Sequence, residues 1–152
     1  MCGLFISSRG DLAYKTSILI DDESNYEESY ADRTCGGFEE LKNVVDTVTF
    51  KFLNDYYWSD KKHIYYVSYT SDGAKMCIAD SIDRKTFIPM ATSCYGTDKN
   101  HIYFRSTVVR GADRTTFRAY TEAEHIAFDK NNWYFYGEKM PDEDVKKMGL
   151  IK

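Results

Sequence analysis

Proline is nearly absent, 2 in 152 residues, so no Pro-rich linker or tail interrupts the chain. Long apolar runs are missing too. Nothing approaches the ~20 residues a membrane-spanning helix needs, and no basic stretch followed by an apolar one stands at the start. The chain as given is therefore expected to carry no membrane span and to be cytoplasmic, or periplasmic if a leader has been removed. There is no excess of positive charge: 20 Lys and Arg stand against 24 Asp and Glu, for a net charge of −4. Nucleic acid is not an expected partner, because neutralising phosphates takes concentrated Lys and Arg, and here they are scattered. The four cysteines, Cys2, Cys35, Cys77 and Cys94, form no CxxC pair, which removes the usual spacing of a structural zinc site. Their even number would allow two disulfides in an exported protein, in any of three pairings. Buried free thiols in a cytoplasmic protein are the simpler expectation.

Aromatic residues are abundant: 13 Tyr, 9 Phe and 2 Trp. Tyr and Phe favour pleated, half-buried surfaces, which tilts the expected fold toward strands. Length suits one domain over residues 1–152, with enough chain to bury a core.

Two signatures recur in the same order. Asp46-Thr47-Val48-Thr49-Phe50, Asp83-Arg84-Lys85-Thr86-Phe87 and Asp113-Arg114-Thr115-Thr116-Phe117 share Asp-x-x-Thr-Phe, and Asp144 to Met148 is a degenerate last copy. Ten to twelve residues after each of the first three phenylalanines comes a second phrase. It reads Asp60-Lys61-Lys62-His63-Ile64-Tyr65, then Asp98-Lys99-Asn100-His101-Ile102-Tyr103, then Asp129-Lys130-Asn131-Asn132-Trp133-Tyr134. A period of 30–37 residues indicates stacked supersecondary units. Asp at the head of a short polar stretch accepts backbone N–H groups further along a turn, so each second phrase predicts a β-hairpin between β-prone runs. Its second strand should show one apolar face, through Ile64/Tyr66, Ile102/Phe104 and Trp133/Phe135. Ser71-Asp72-Gly73 and Tyr136-Gly137-Glu138 read as tips into a third short strand, and Ser68 to Lys75 as a surface loop. In the first signature, Asp should cap a single helical turn and Phe should drop into the core.

These segments, Phe50 to Tyr66, Phe87 to Phe104 and Phe117 to Tyr136, resemble the bacterial DKNYY family over roughly Asp46 to Met148. Lys62 stands for Asn in the first copy and Trp133 enters the third. The resemblance implies a repeat architecture and no agreed activity.

The first 45 residues fit the repeat poorly and read as a divergent unit or cap. Leu4 to Ile6 and Ala13 to Ile20 predict two strands joined at Arg9-Gly10-Asp11. Asp21 to Asp32 is acidic and reads as a solvated loop, and Phe38 to Val45 as a short helix after Gly36-Gly37. The expected fold is mainly β: consecutive antiparallel hairpins with short helical turns and a minor helix near 38–45.

Candidate chemistry is sparse. Met1-Cys2-Gly3 resembles the start of N-terminal-nucleophile glutamine amidotransferases, but only over three residues and without their Asn-Gly and Arg substrate contacts. His63 and His101 share a repeat position that Asn132 takes in the third copy, which suits a hydrogen-bonding end better than a base. Counted as EF-hand loops, Asp98 and Asp129 are followed by Ile102, Tyr103 and Val109, or Trp133, Tyr134 and Met140, where an oxygen ligand, Gly and Glu belong. No catalytic residue, metal or cofactor is therefore assigned, and no small-molecule substrate is evident. The column Tyr65, Tyr103 and Tyr134 points away from the predicted core face. It either buries with its hydroxyls on a neighbouring Asp, or forms a binding surface flanked by Arg105 and Arg110. The expected function is a non-enzymatic protein-binding module, concretely a bacterial immunity protein that neutralises a toxin. A periplasmic or envelope-associated structural protein, with Cys77–Cys94 or another pair oxidised, and a Cys2-dependent hydrolase are the alternatives.

Overall fold

A computed structural model of the chain describes residues 3–6, 10–19, 26–37, 39–70 and 73–151. The chain divides into two compact units, one of residues 1–51 and 58–78 and the other of 52–57 and 79–152.

The fold is mainly β. Strands β1 (Gly3–Ile6), β2 (Leu12–Leu19) and β3 (Tyr26–Ala31) form one antiparallel sheet in that order. Helix α1 (Leu41–Val44) follows, placed by the Leu41 N–H on the Asp32 carbonyl at 2.8 Å, with Leu41 and Val44 buried. Three four-stranded meanders come next, one for each repeat copy. They are β4 (Lys51–Asn54), β5 (Tyr57–Ser59), β6 (Ile64–Thr70) and β7 (Gly73–Ile78); then β8 (Ile88–Pro89), β9 (Tyr95–Thr97), β10 (Ile102–Phe104) and β11 (Thr107–Val108); then β12 (Arg118–Ala119), β13 (Ile126–Phe128), β14 (Trp133–Phe135) and β15 (Glu138–Lys139). Helix α2 (Asp142–Lys147) ends the fold, and the degenerate last signature lies in it. Pro89 is tolerated because β8 is an edge strand.

The first unit is centred on Tyr14, Leu41, Trp58, Tyr65, Val67 and Met76. Tyr14 and Trp58 meet edge to face at 5.5 Å. Cys35 and Cys77 form a disulfide here, with Cα atoms 4.8 Å apart. Beside it, Cys35 N–H bonds the Met76 carbonyl at 3.1 Å. The expectation of buried free thiols therefore holds for Cys94 and fails for Cys35 and Cys77, and the oxidised pair is one other than Cys77–Cys94. Cys2 lies outside the described residues. In the second unit, Cys94, Tyr95, Ile102, Phe104, Phe117 and Tyr134 pack together, while Ile126, Trp133 and Met140 form a further cluster.

Two expectations need correction, and two features go beyond what the sequence announced. The acidic stretch read as a loop contains β3, whose Glu28 forms an ion pair with Lys15 of β2 and whose Tyr30 packs on Phe5 at 5.6 Å. Its charges suit an exposed edge strand as well as a loop. Ser68 to Lys75 are not a loop either. Ser68 pairs with Lys75, Tyr69 with Ala74 and Thr70 with Gly73, and Ala74 is buried; the tip at 71–72 lies outside the described residues, as does Phe38. Each copy has a strand directly after its Phe that the sequence did not announce. Finally, the second strand of each hairpin is covered on both faces: Ile64, Tyr65 and Val67 are all buried, as are Ile102, Tyr103 and Phe104. The signature phenylalanines supply part of the second cover, Phe50 lying 5.8 Å from Tyr65 and Phe117 5.4 Å from Tyr134.

Phe87 takes a different seat, 4.9 Å from Tyr57 and directly over Gly96, where a Cβ would stand 2.4 Å from its ring. Gly96→Ala is expected to destabilise the chain by ~1–3 kcal/mol in urea unfolding, the usual cost of overpacking. Phe87→Leu in the same chain should recover part of that loss.

Candidate functional site

The most regular constellation is a hydrogen-bonded cluster that occurs three times. In the first copy Asp60 is 3% exposed, and its two carboxylate oxygens accept four donors. Oδ1 takes the N–H groups of Lys62 at 2.6 Å and His63 at 2.7 Å. Oδ2 takes the Asp46 N–H at 2.8 Å and the Tyr65 hydroxyl at 2.7 Å. The pattern repeats at Asp98, with Asn100, His101 and Asp83 N–H groups and the Tyr103 hydroxyl between 2.8 and 2.9 Å. It repeats again at Asp129, with Asn131, Asn132, Asp113 and Tyr134 between 2.7 and 2.8 Å.

A second tie runs beside it. The threonine of each first signature accepts the N–H of the following Lys: Thr49 from Lys61, Thr86 from Lys99, Thr116 from Lys130. The same lysine's ammonium reaches the first-signature aspartate, at 2.6 Å for Asp46 and 2.7 Å for Asp83 and Asp113. The two signatures are thus the two halves of one joint. The first aspartates also close their own turns as expected, Asp46 Oδ1 accepting Thr49 N–H and Asp83 Oδ1 accepting Lys85 N–H, each at 3.0 Å.

The donors to each central Asp, apart from the tyrosine, are backbone groups, so side chains at those positions are free to vary. Lys62, Asn100 and Asn131 are interchangeable for that reason. At the next position His101 Nδ1 and Asn132 Nδ2 each lie 3.4 Å from the tyrosine hydroxyl, which accounts for the His/Asn exchange.

Burial pushes the Asp98 carboxyl up, but the N–H groups of Asp83, His101 and Asn100 and the Tyr103 hydroxyl outweigh it and hold it at about 2. Asp60 and Asp129 are held down by the same balance. Burial, then the hydrogen bond to Asp98, push the Tyr103 hydroxyl up to about 12.

The predicted binding column is therefore interior. Tyr65, Tyr103 and Tyr134 are 0, 1 and 1% exposed, which leaves them no surface to offer a partner. Arg105 does not flank them on a shared face. It occupies the β10–β11 turn at φ 54°, half-buried, with its guanidinium 5.2 Å from the Phe104 ring. Arg110 is exposed beyond β11. Among the described residues no group of three or more His, Cys, Asp and Glu is placed to hold a metal ion.

A second tyrosine set went unnoticed. Tyr57 and Tyr95 stand three residues before Asp60 and Asp98. The buried Tyr57 hydroxyl donates into the second copy, where the Cys94 and Arg105 carbonyls lie at 2.7 and 2.9 Å. The Tyr95 hydroxyl donates to the His125 carbonyl at 3.1 Å and accepts the Gly137 N–H at 3.0 Å, both in the third copy. Both contacts lie within the second unit, to which Tyr57 belongs. Their fixed offset from the second signature was the available signal. In the third copy Ile126 takes this position.

Apolar side chains reach the surface in the last copy too, as they do at Val48, Phe52 and Ile88 in the first two. Phe135 is 38%, Tyr136 51% and Met148 48% exposed. Tyr136 stacks on His125 at 4.8 Å. A groove of about 460 Å³ runs between β15 and α2, lined by Phe135, Met140, Pro141 and Met148 and edged by Glu138, Lys139, Asp144 and Lys147.

Above the carboxylate range of the unfolded chain, ~3.9, all three central aspartates are charged, and their depressed values contribute stability. That contribution is lost as pH falls from there toward about 2, the value of Asp98. Urea midpoints should drop across this window, and Asp98→Asn should flatten the drop. At neutral pH Asp98→Asn, which puts an amide among buried donors, should cost ~1–3 kcal/mol, and Tyr103→Phe about 1 kcal/mol.

No curated protein and no solved structure matches the chain. The first copy's Asp46 and Asp60, with the same joint, stand outside the segment that a family model matches. That segment, residues 67–139, just under half of the chain, resembles the DKNYY family.

Proposed function

We propose that this chain is a non-enzymatic protein-binding module in which the Asp–Tyr joints are scaffold and the last copy carries the contact surface. The observation behind this reading is the groove beside β15 and α2, with Phe135 and Met148 exposed in its lining and the exposed Tyr136 ring against Phe135. Partly exposed aromatic and Met side chains, framed by charged residues, have the make-up of an interface core with a polar rim. An immunity protein that occludes a toxin is the specific version, resting on small size and net charge of −4. The Cys35–Cys77 bridge favours a second reading, an envelope-associated protein in an oxidising compartment, where disulfides persist.

Tagged protein purified from its native cells at moderate salt should bring one stoichiometric partner. Tyr136→Ser with Met148→Ser should lose it, while the buried-cavity control Val67→Ala keeps it. Absence of a partner, or one indifferent to the groove, would overturn the proposal. The intact mass of the same sample reports whether Cys35 and Cys77 are oxidised.

A further inference from the structure

The end of the repeat array and the apolar groove coincide. Tyr57 and Tyr95 each send a hydroxyl into the copy that follows, whereas Ile126, at the same position, has none to send. The third copy does not prepare a seat for a fourth, and α2 stands beside it instead. What remains open is the strip formed by Phe135, Pro141 and Met148.

The charges around that strip narrow the choice of occupant. The hairpin wall carries one acid and one base, Glu138 and Lys139; the helix wall likewise carries Asp144 and Lys147. All four are exposed. The rim is neutral although the chain carries −4, so a basic partner gains no special attraction here, and an acidic one is not repelled. With a two-fold axis running along the groove, the patch meets itself and the hairpin wall of one copy faces the helix wall of the other. Glu138 can then meet the second copy's Lys147, and Lys139 its Asp144, twice over, while Phe135 and Met148 close the centre. β15 is also the outer strand of its sheet.

We propose that the β15–α2 groove is a self-association surface whose occupant is the same groove of a second copy of this chain. This rests on the reading of the last copy as a protein-binding face.

Sedimentation equilibrium of the full chain, from low micromolar to several hundred micromolar, tests it. The wild type should pass from monomer to dimer across that range. Lys147→Glu should weaken the dimer at least ~10-fold by setting like charges opposite each other, and Glu138→Lys combined with Lys147→Glu should restore it. Met148→Glu should leave a monomer with an unchanged circular dichroism spectrum. A wild type that stays monomeric throughout, or a Lys147→Glu variant that dimerises as tightly as wild type, overturns the proposal. A monomer whose captured partner is still lost in the Tyr136→Ser, Met148→Ser variant would sink self-association alone and leave the binding-module reading standing.

Discussion

A buried carboxylate must be fully satisfied, and Asp60, Asp98 and Asp129 each meet that demand with four donors on two oxygens. The four donors come from distant places: two from the turn that the aspartate heads, one from the backbone some fifteen residues upstream, and one from the tyrosine five residues on. Satisfying one side chain therefore fixes the turn, brings the first signature onto the second and places the tyrosine in the core. Removing the aspartate would strand all four donors at once. That is why the signature residues recur together while the residues between them vary.

Much of this was legible. Asp-Lys-Asn announced a turn, and the period announced stacked units, because turn chemistry and repetition are local properties of a chain. The shared oxygen was less legible, since nothing in Asp46 or Tyr65 states that both bond Asp60. Burial of the tyrosine column followed from that contact and so was open until the contact was seen. The acidic edge strand β3 was misread because composition does not separate a charged edge strand from a solvated loop. Ser68 to Lys75 were misread because insertion length does not separate a longer hairpin from a loop. Tyr57 and Tyr95 were readable as a column three residues before each Asp, but only if strands outside the signatures were aligned as well.

The division of labour follows. The central aspartates and tyrosines that recur in every copy are interior and tie the two signatures of that copy to each other. In the last copy Phe135, Tyr136 and Met148 are exposed, Phe135 and Met148 lining the groove beside α2, while Ile126 is buried. Function sought among the conspicuous repeated tyrosines is sought in the scaffold. The unrepeated positions are where a contact surface can differ without dismantling the joint, and Pro141 and Lys147 of the groove beside α2 are among them.

Amide hydrogen exchange at Asp46, Asp83 and Asp113 tests the shared-oxygen joint most directly. Each of these N–H groups sits at a turn, where exchange would ordinarily be fast, and each has the buried Asp60, Asp98 or Asp129 carboxylate as its acceptor. If the joint holds the two signatures of each copy together, all three amides should be protected as strongly as the core strands, and Asp98→Asn should strip protection from Asp83 first. Exchange of all three at the rate of exposed turn amides would contradict the joint and leave the two signatures as separate local turns.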